Sequence, residues 1–146
     1  MKRINLDIPE IELLDLGCGK TNKGLGIDIQ DYGQQIVWDL RDGIPLPDNS
    51  VKNVCSSHFL EHITVADIDN LFREIIRVCK DGAVFNASMP HADRDEAMML
   101  PHYTLWNEQR VRGIVLGYAM AGENTLQLLD VHREGMQLFF TIRINK

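Results

Sequence analysis

The spacing of apolar positions changes period several times along the chain, and each change predicts an element. Residues 11–16 are a short apolar run flanked by charge, the pattern of a buried strand. Residues 25–29, 36–40 and 51–57 repeat it, the last two separated by a proline-containing irregular stretch at 42–50. The period then lengthens. Ile68, Leu71, Phe72, Ile75, Ile76 and Cys79 recur at helical spacing and give one broad apolar face. Thr64 with Asp67 makes an imperfect capping box at the start of this helix, and Gly82 is expected to stop it. Residues 83–89 return to strand spacing and end at Pro90, and a long polar loop follows over 91–106. Asn107 caps a second helix in which Val111, Ile114, Val115 and Tyr118 share a face. Residues 125–132 and 136–144 then read as an antiparallel hairpin turning near Glu134-Gly135. Strand-helix alternation closed by a hairpin predicts a single α/β domain, its sheet mostly parallel with a reversed edge strand.

Composition narrows the class without changing this picture. The 146 residues suit one domain with one core, and 45% apolar with 25% charged residues is the balance of a globular protein. No apolar run approaches the ~20 residues that span a bilayer. The first residues carry a Lys-Arg pair with no apolar stretch behind it, so no signal peptide is expected. Cys18, Cys55 and Cys79 are far apart and form no Cys-x-x-Cys pair, which predicts reduced thiols and a cytoplasmic protein. A net charge of −6 with scattered Lys and Arg argues against a broad nucleic-acid surface.

Candidate chemistry gathers where open α/β sheets bind ligands, at the carboxyl ends of strands. Leu13-Leu14-Asp15-Leu16-Gly17-Cys18-Gly19 runs a strand into a turn with two glycines, and Asp28 ends the next strand nine positions after Gly19. Glycines allow close backbone approach to a ligand. A carboxylate on the adjacent strand tip can accept both hydroxyls of a ribose. With no third glycine and no P-loop lysine, a pyrophosphate is not the obvious ligand. The other strand ends add Asp39 and Leu40, then Ser56, Ser57 and His58, then Met89, Pro90 and His91.

In this order the segments Leu14–Gly19, Gly26-Ile27-Asp28, Asp39-Leu40, 45–51, 56–63, 74–82 and Pro90-His91 resemble the class I S-adenosylmethionine-dependent methyltransferases, in particular a minimal form of the small-molecule, type 11-like branch. The resemblance implies a Rossmann-like, seven-stranded sheet and S-adenosyl-L-methionine as cofactor. It implies that Asp15, Leu16, Gly17, Cys18 and Gly19 border the methionine part, that Asp28 holds the ribose hydroxyls, and that Ile29 packs on the adenine. Asp39 would face the adenine amino group and Leu40 the ring, with Ser57 and His58 near the reacting methyl. Three carboxylates also suit a sulfonium cation. The implied activity is methyl transfer to a small molecule such as a glycan or secondary-metabolite intermediate. A cofactor-binding partner module without turnover is the alternative.

The chain departs from that family where cover would be expected. Residues 19–24 leave no room for a helix, since a parallel crossover normally takes a dozen residues or more. No helix is expected before the first strand, and no cap domain is inserted. The cleft should therefore be open unless residues 91–106 or a second subunit cover it, which makes a homodimer an expectation. The backbone of residues 17–20 must then hold the methionine end, with affinity resting heavily on Asp28. His58-x-x-Glu61-His62 also fits a zinc-peptidase pattern. With no third ligand evident, no metal is expected, His62 is assigned to local backbone capping and Glu61 to solvent or a neighbouring base. His58, His91 and His102 are candidates to move a proton, each serving equally well as a structural hydrogen-bonding group. Trp106 and Tyr103 are expected to pack the loop down, and Met98-Met99-Leu100 to anchor it.

Overall fold

The computed structural model describes residues 10–146. The expectations that no helix and no leader occupy the first residues fall on 1–9 and lie outside the described residues. Seven strands form one sheet: β1 (Leu14–Leu16), β2 (Leu25–Asp28), β3 (Ile36–Val37), β4 (Val51–Ser57), β5 (Cys79–Pro90), β6 (Leu126–Glu134) and β7 (Gln137–Ile144). Their order is β3-β2-β1-β4-β5-β7-β6. The first five are parallel, and β7 is antiparallel to both β5 and β6. The reversed strand is thus β7, one place in from the edge, because the hairpin folds back between β5 and its own first strand.

Among the described residues two α-helices pack on this sheet: α1 (Val65–Val78) and α2 (Glu108–Met120). Asn107 caps α2 as expected, its side chain accepting from the Arg110 amide at 2.9 Å. At α1 the Thr64 hydroxyl donates to the Asp67 carboxylate at 2.9 Å, so the pair closes on itself and not on the backbone amides. The C-terminus of α1 differs from expectation. The helix stops at Val78, and Cys79 is already extended and paired with Val51. Gly82, at φ 81°, serves a register shift between β4 and β5 and not a helix cap. Extra residues in one strand need such a conformation, which glycine adopts freely.

The core lies between the helices and one face of the sheet. Phe72 of α1 meets Phe85 of β5 edge-on at 6.0 Å, Phe85 meets Phe140 of β7 at 5.4 Å, and Trp106 stacks near Phe140 at 6.3 Å. Trp106 therefore pins the end of the loop, its indole N–H donating to Thr104 Oγ1, which in turn donates to the Leu60 carbonyl. Tyr103 is exposed, and so are Met98, Met99 and Leu100; Ala97 is the buried member of that segment, so the expected anchor is not the methionine pair. No helix among the described residues is long and apolar enough to cross a membrane.

Candidate functional site

The turn after β1 replaces a crossover helix. Residues 17–24 form only turns and bends, held at both ends by carboxylates. Asp28 Oδ2 accepts the Gly19 amide at 2.9 Å, and Asp15 Oδ2 accepts the Lys23 amide at 2.9 Å. Gly17 has φ 62°, and a Cβ there would lie 2.5 Å from the Phe59 ring, so both conformation and space require glycine. Asp28 Oδ1 accepts the Gln30 amide at 3.0 Å, which fixes the carboxylate at the mouth of the turn.

A cleft of about 1200 Å³ opens from these strand ends. Asp15, Gly17, Cys18, Gly19, Asp28, Ile29, Asp39, Leu40, Ser57 and His58 all line it. Leu16 does not: it is fully buried in the core. Ile29 is 59% exposed at the rim. Asp39 caps a 3₁₀ turn and is gripped by Arg41, with Nε to Oδ1 at 3.0 Å and Nη2 to Oδ2 at 2.7 Å. That guanidinium holds the Asp39 carboxyl below its ordinary range.

The expected histidines separate. His58, at φ 52° after β4, is half-exposed on the cleft, and burial together with the charge of His102 lowers its pKa. His91 stands off the cleft and is nearly buried, with Nδ1 2.9 Å from Asp93 and Nε2 3.0 Å from Glu108. It fastens the loop to α2. His102 meets His62 edge-on at 4.8 Å, and His62 lines the cleft. Residues 58–62 are not one α-helix; only Leu60–His62 form a 3₁₀ turn, so the two histidines lack the shared helical face of the zinc-peptidase pattern. Glu61, expected at solvent or beside a neighbouring base, is 1% exposed, with His58 Nδ1 at 3.5 Å and His62 Nε2 at 3.8 Å. Neither of its carboxylate oxygens accepts a hydrogen bond, and burial pushes its pKa up to about 7.

The cleft extends beyond the predicted residues, across the face of the sheet turned away from the helices. Asn86 and Ser88 of β5, Phe139 and Thr141 of β7 and His132 of β6 line it. Thr141 donates to Asn86 at 2.7 Å, and His132 stacks on Phe139 at 5.4 Å. The alternation Phe85-Asn86-Ala87-Ser88-Met89 carries the signal for this face, since a half-buried strand shows apolar and polar residues in turn.

Residues 28–86 match a family model described as a methyltransferase domain. No curated protein matches the chain. Similar solved structures include an S-adenosylmethionine-dependent methyltransferase from Mesorhizobium loti, 15% identical over 94% of this chain and 93% of that one, TM-score 0.63. Another S-adenosylmethionine-dependent methyltransferase, from Aquifex aeolicus, is 22% identical over 94% of this chain and 84% of that one, TM-score 0.66. The 1,6-didemethyltoxoflavin-N1-methyltransferase of Burkholderia thailandensis, solved with S-adenosylhomocysteine, is 12% identical over 94% of this chain and 72% of that one, TM-score 0.70. Strand order and matched segment agree with the resemblance read from the sequence: the chain has the fold of the solved S-adenosylmethionine-dependent methyltransferases, and residues 28–86 match a methyltransferase-domain model.

Proposed function

We propose that the protein transfers a methyl group from S-adenosyl-L-methionine to a polar small-molecule acceptor. The observation that carries this reading is Asp28, fixed by two backbone amides beside a positive-φ glycine turn at the mouth of a cleft. Each Asp28 oxygen accepts one amide and keeps a second lone pair, so the carboxylate can still take two ribose hydroxyls. Asp15 and Asp28 add negative charge that suits a sulfonium. Ile29 and Leu40 offer apolar surface to an adenine. Asp39 is largely occupied by Arg41 and has only its remaining acceptor capacity for the adenine edge. When bound, the cofactor supplies an electrophilic methyl together with its own leaving group. The protein's part is alignment and, for a hydroxyl acceptor, proton removal. His58 is suited to this. Burial and the charge of His102 lower its pKa, which favours the neutral imidazole that a base requires. Ser57, Asn86, Ser88 and Thr141 would hydrogen-bond the acceptor. We place the reaction in the cytoplasm, in keeping with three free thiols.

Calorimetry with S-adenosylmethionine and S-adenosylhomocysteine tests the reading. Both should bind, and Asp28→Ala should weaken binding by roughly 10- to 100-fold, the worth of hydrogen bonds to a charged group. No binding by the wild-type chain overturns it. A second reading, a non-catalytic partner module or one half of a homodimer, is favoured by the uncovered sheet face. Cofactor binding without turnover of any acceptor, together with a dimer or complex by light scattering, would select it.

A further inference from the structure

We propose that Glu61, His62 and His102 bind a divalent transition-metal ion of the zinc class at the edge of the cleft. The 3₁₀ turn after β4 and the loop at 91–106 bring these side chains together from distant parts of the sequence. One ligand atom from each lies within 4.8 Å of the other two. Bonds of ~2.0–2.1 Å to a tetrahedral ion need ligand atoms about 3.3 Å apart. Binding an ion would draw the ligand atoms together by up to about 1.5 Å.

Two independent observations point to a cation. Glu61 is among the most deeply buried charged residues of the chain, yet neither carboxylate oxygen accepts a hydrogen bond. The nearest imidazole nitrogens are 3.5 Å away on His58 and 3.8 Å away on His62. An unpartnered buried carboxylate is costly, and a metal ion removes the cost. The second observation is the orientation of the two rings. His62 Nδ1 lies 3.2 Å from the Pro101 carbonyl, and His102 Nδ1 lies 2.7 Å from the Glu96 carbonyl. A carbonyl only accepts, so each Nδ1 carries the hydrogen and donates it. In the neutral rings Nε2 is then left with its lone pair. Backbone carbonyls holding Nδ1 while Nε2 faces a metal is the usual outer support of histidine ligands.

The donor set selects the ion. Two imidazoles and one carboxylate suit zinc and its transition-metal neighbours, whereas calcium and magnesium require more oxygen ligands. Three protein ligands leave a coordination position open, and His62 lines the cleft, so that position is available to an oxygen of a bound acceptor. This use rests on the methyl-transfer reading; the existence of the site does not. The set also differs from the sequence pattern His58-x-x-Glu61-His62, because His102 replaces His58 as the second imidazole.

The test uses the full chain, stripped with chelator and titrated with Zn²⁺ by calorimetry, with Mg²⁺ in parallel and Co²⁺ as a spectroscopic probe. One equivalent of Zn²⁺ should bind, Mg²⁺ should not compete, and Co²⁺ should give the visible absorption of a low-coordinate site. Glu61→Gln and His102→Ala should each lower Zn²⁺ affinity at least tenfold, since even outer-shell changes cost that much. His132→Ala, which removes an exposed imidazole that is not a member of the set, should leave it unchanged. Should Glu61→Gln not fold, His102→Ala carries the test alone. Failure to bind one equivalent of Zn²⁺, or binding that survives His102→Ala, overturns the proposal. S-adenosylhomocysteine binding measured on the same samples separates this failure from failure of the methyl-transfer reading.

Discussion

On one face of the sheet Phe85, Ala87 and Met89 of β5 lie beside Phe140, Leu138 and Ile142 of β7, beneath the helices. On the other face of the same two strands Asn86 and Ser88 stand beside Thr141 and Phe139, and among the described residues no helix lies over them. In a doubly wound fold both faces are covered and both read as apolar. Here the crossovers from β1 to β2 and from β2 to β3 are loops, and the face they leave uncovered carries amides, hydroxyls and an imidazole. The contrast teaches that removing a layer of helices turns a core surface into a cleft wall. A single strand can then serve stability with its odd positions and ligand binding with its even ones.

The largest test of this contrast is a pair of truncations on adjoining strands. Phe85→Ala should cost about 3–5 kcal/mol, the usual range for an aromatic lost from a packed core. Thr141→Ala, which removes one hydrogen bond to Asn86, should cost only about 0.5–1.5 kcal/mol in the same urea titration. Equal costs would mean that the polar face is covered in solution, as a second copy of the chain would cover it. A smaller effect separates the two faces by their thiols. Burial pushes the Cys79 thiol up to about 12, while burial and the neighbouring Asp15 push Cys55 up to about 11. Both should react slowly with a thiol reagent at pH 8. Cys55 should nevertheless be labelled in the native protein through the polar face, and Cys79 only on global unfolding, as urea-dependent labelling followed by mass spectrometry would reveal. Identical urea dependence would break the contrast. The smallest effect is electrostatic. Asp130, 2.5 Å from His132, raises that imidazole's pKa. His132 should therefore stay protonated to higher pH than an isolated histidine, and Asp130→Asn should bring its midpoint down, readable from ring resonances by NMR. An unchanged midpoint would mean that the pair does not form on the exposed face.

Elements with a strong period were legible from the residues alone. β4 begins and ends where the apolar run does, and α2 begins at its asparagine cap. Gly82 misled because a glycine after a helical pattern signals a cap and a bulge equally well, and only the pairing of Cys79 with Val51 distinguishes them. The carboxylates lining the cleft were legible because they lie at or near strand ends: Asp28 ends β2, Asp15 is one residue short of the end of β1, and Asp39 follows β3. Glu61 was not, since a glutamate in a short segment without a clear period gives no sign of burial, and the loop whose Tyr103 and Thr104 amides bond to its carbonyl lies some forty residues away. The meeting of His62 with His102 was hidden for the same reason: forty residues and a loop without periodicity separate them.

The short turn between β1 and β2 also bears on how the sheet assembles. Leu14 pairs with Leu25 across eleven positions and Ile27 with Ile36 across nine, while Leu14 pairs with Val54 across forty. The entropy of closing a loop grows with the logarithm of its length, so the first pairing is cheaper than the last by roughly 1 kcal/mol. Parallel strands are ordinarily distant in sequence and slow to find one another. By dropping a helix from its first crossover, the chain brings a parallel pair within the reach of a long hairpin.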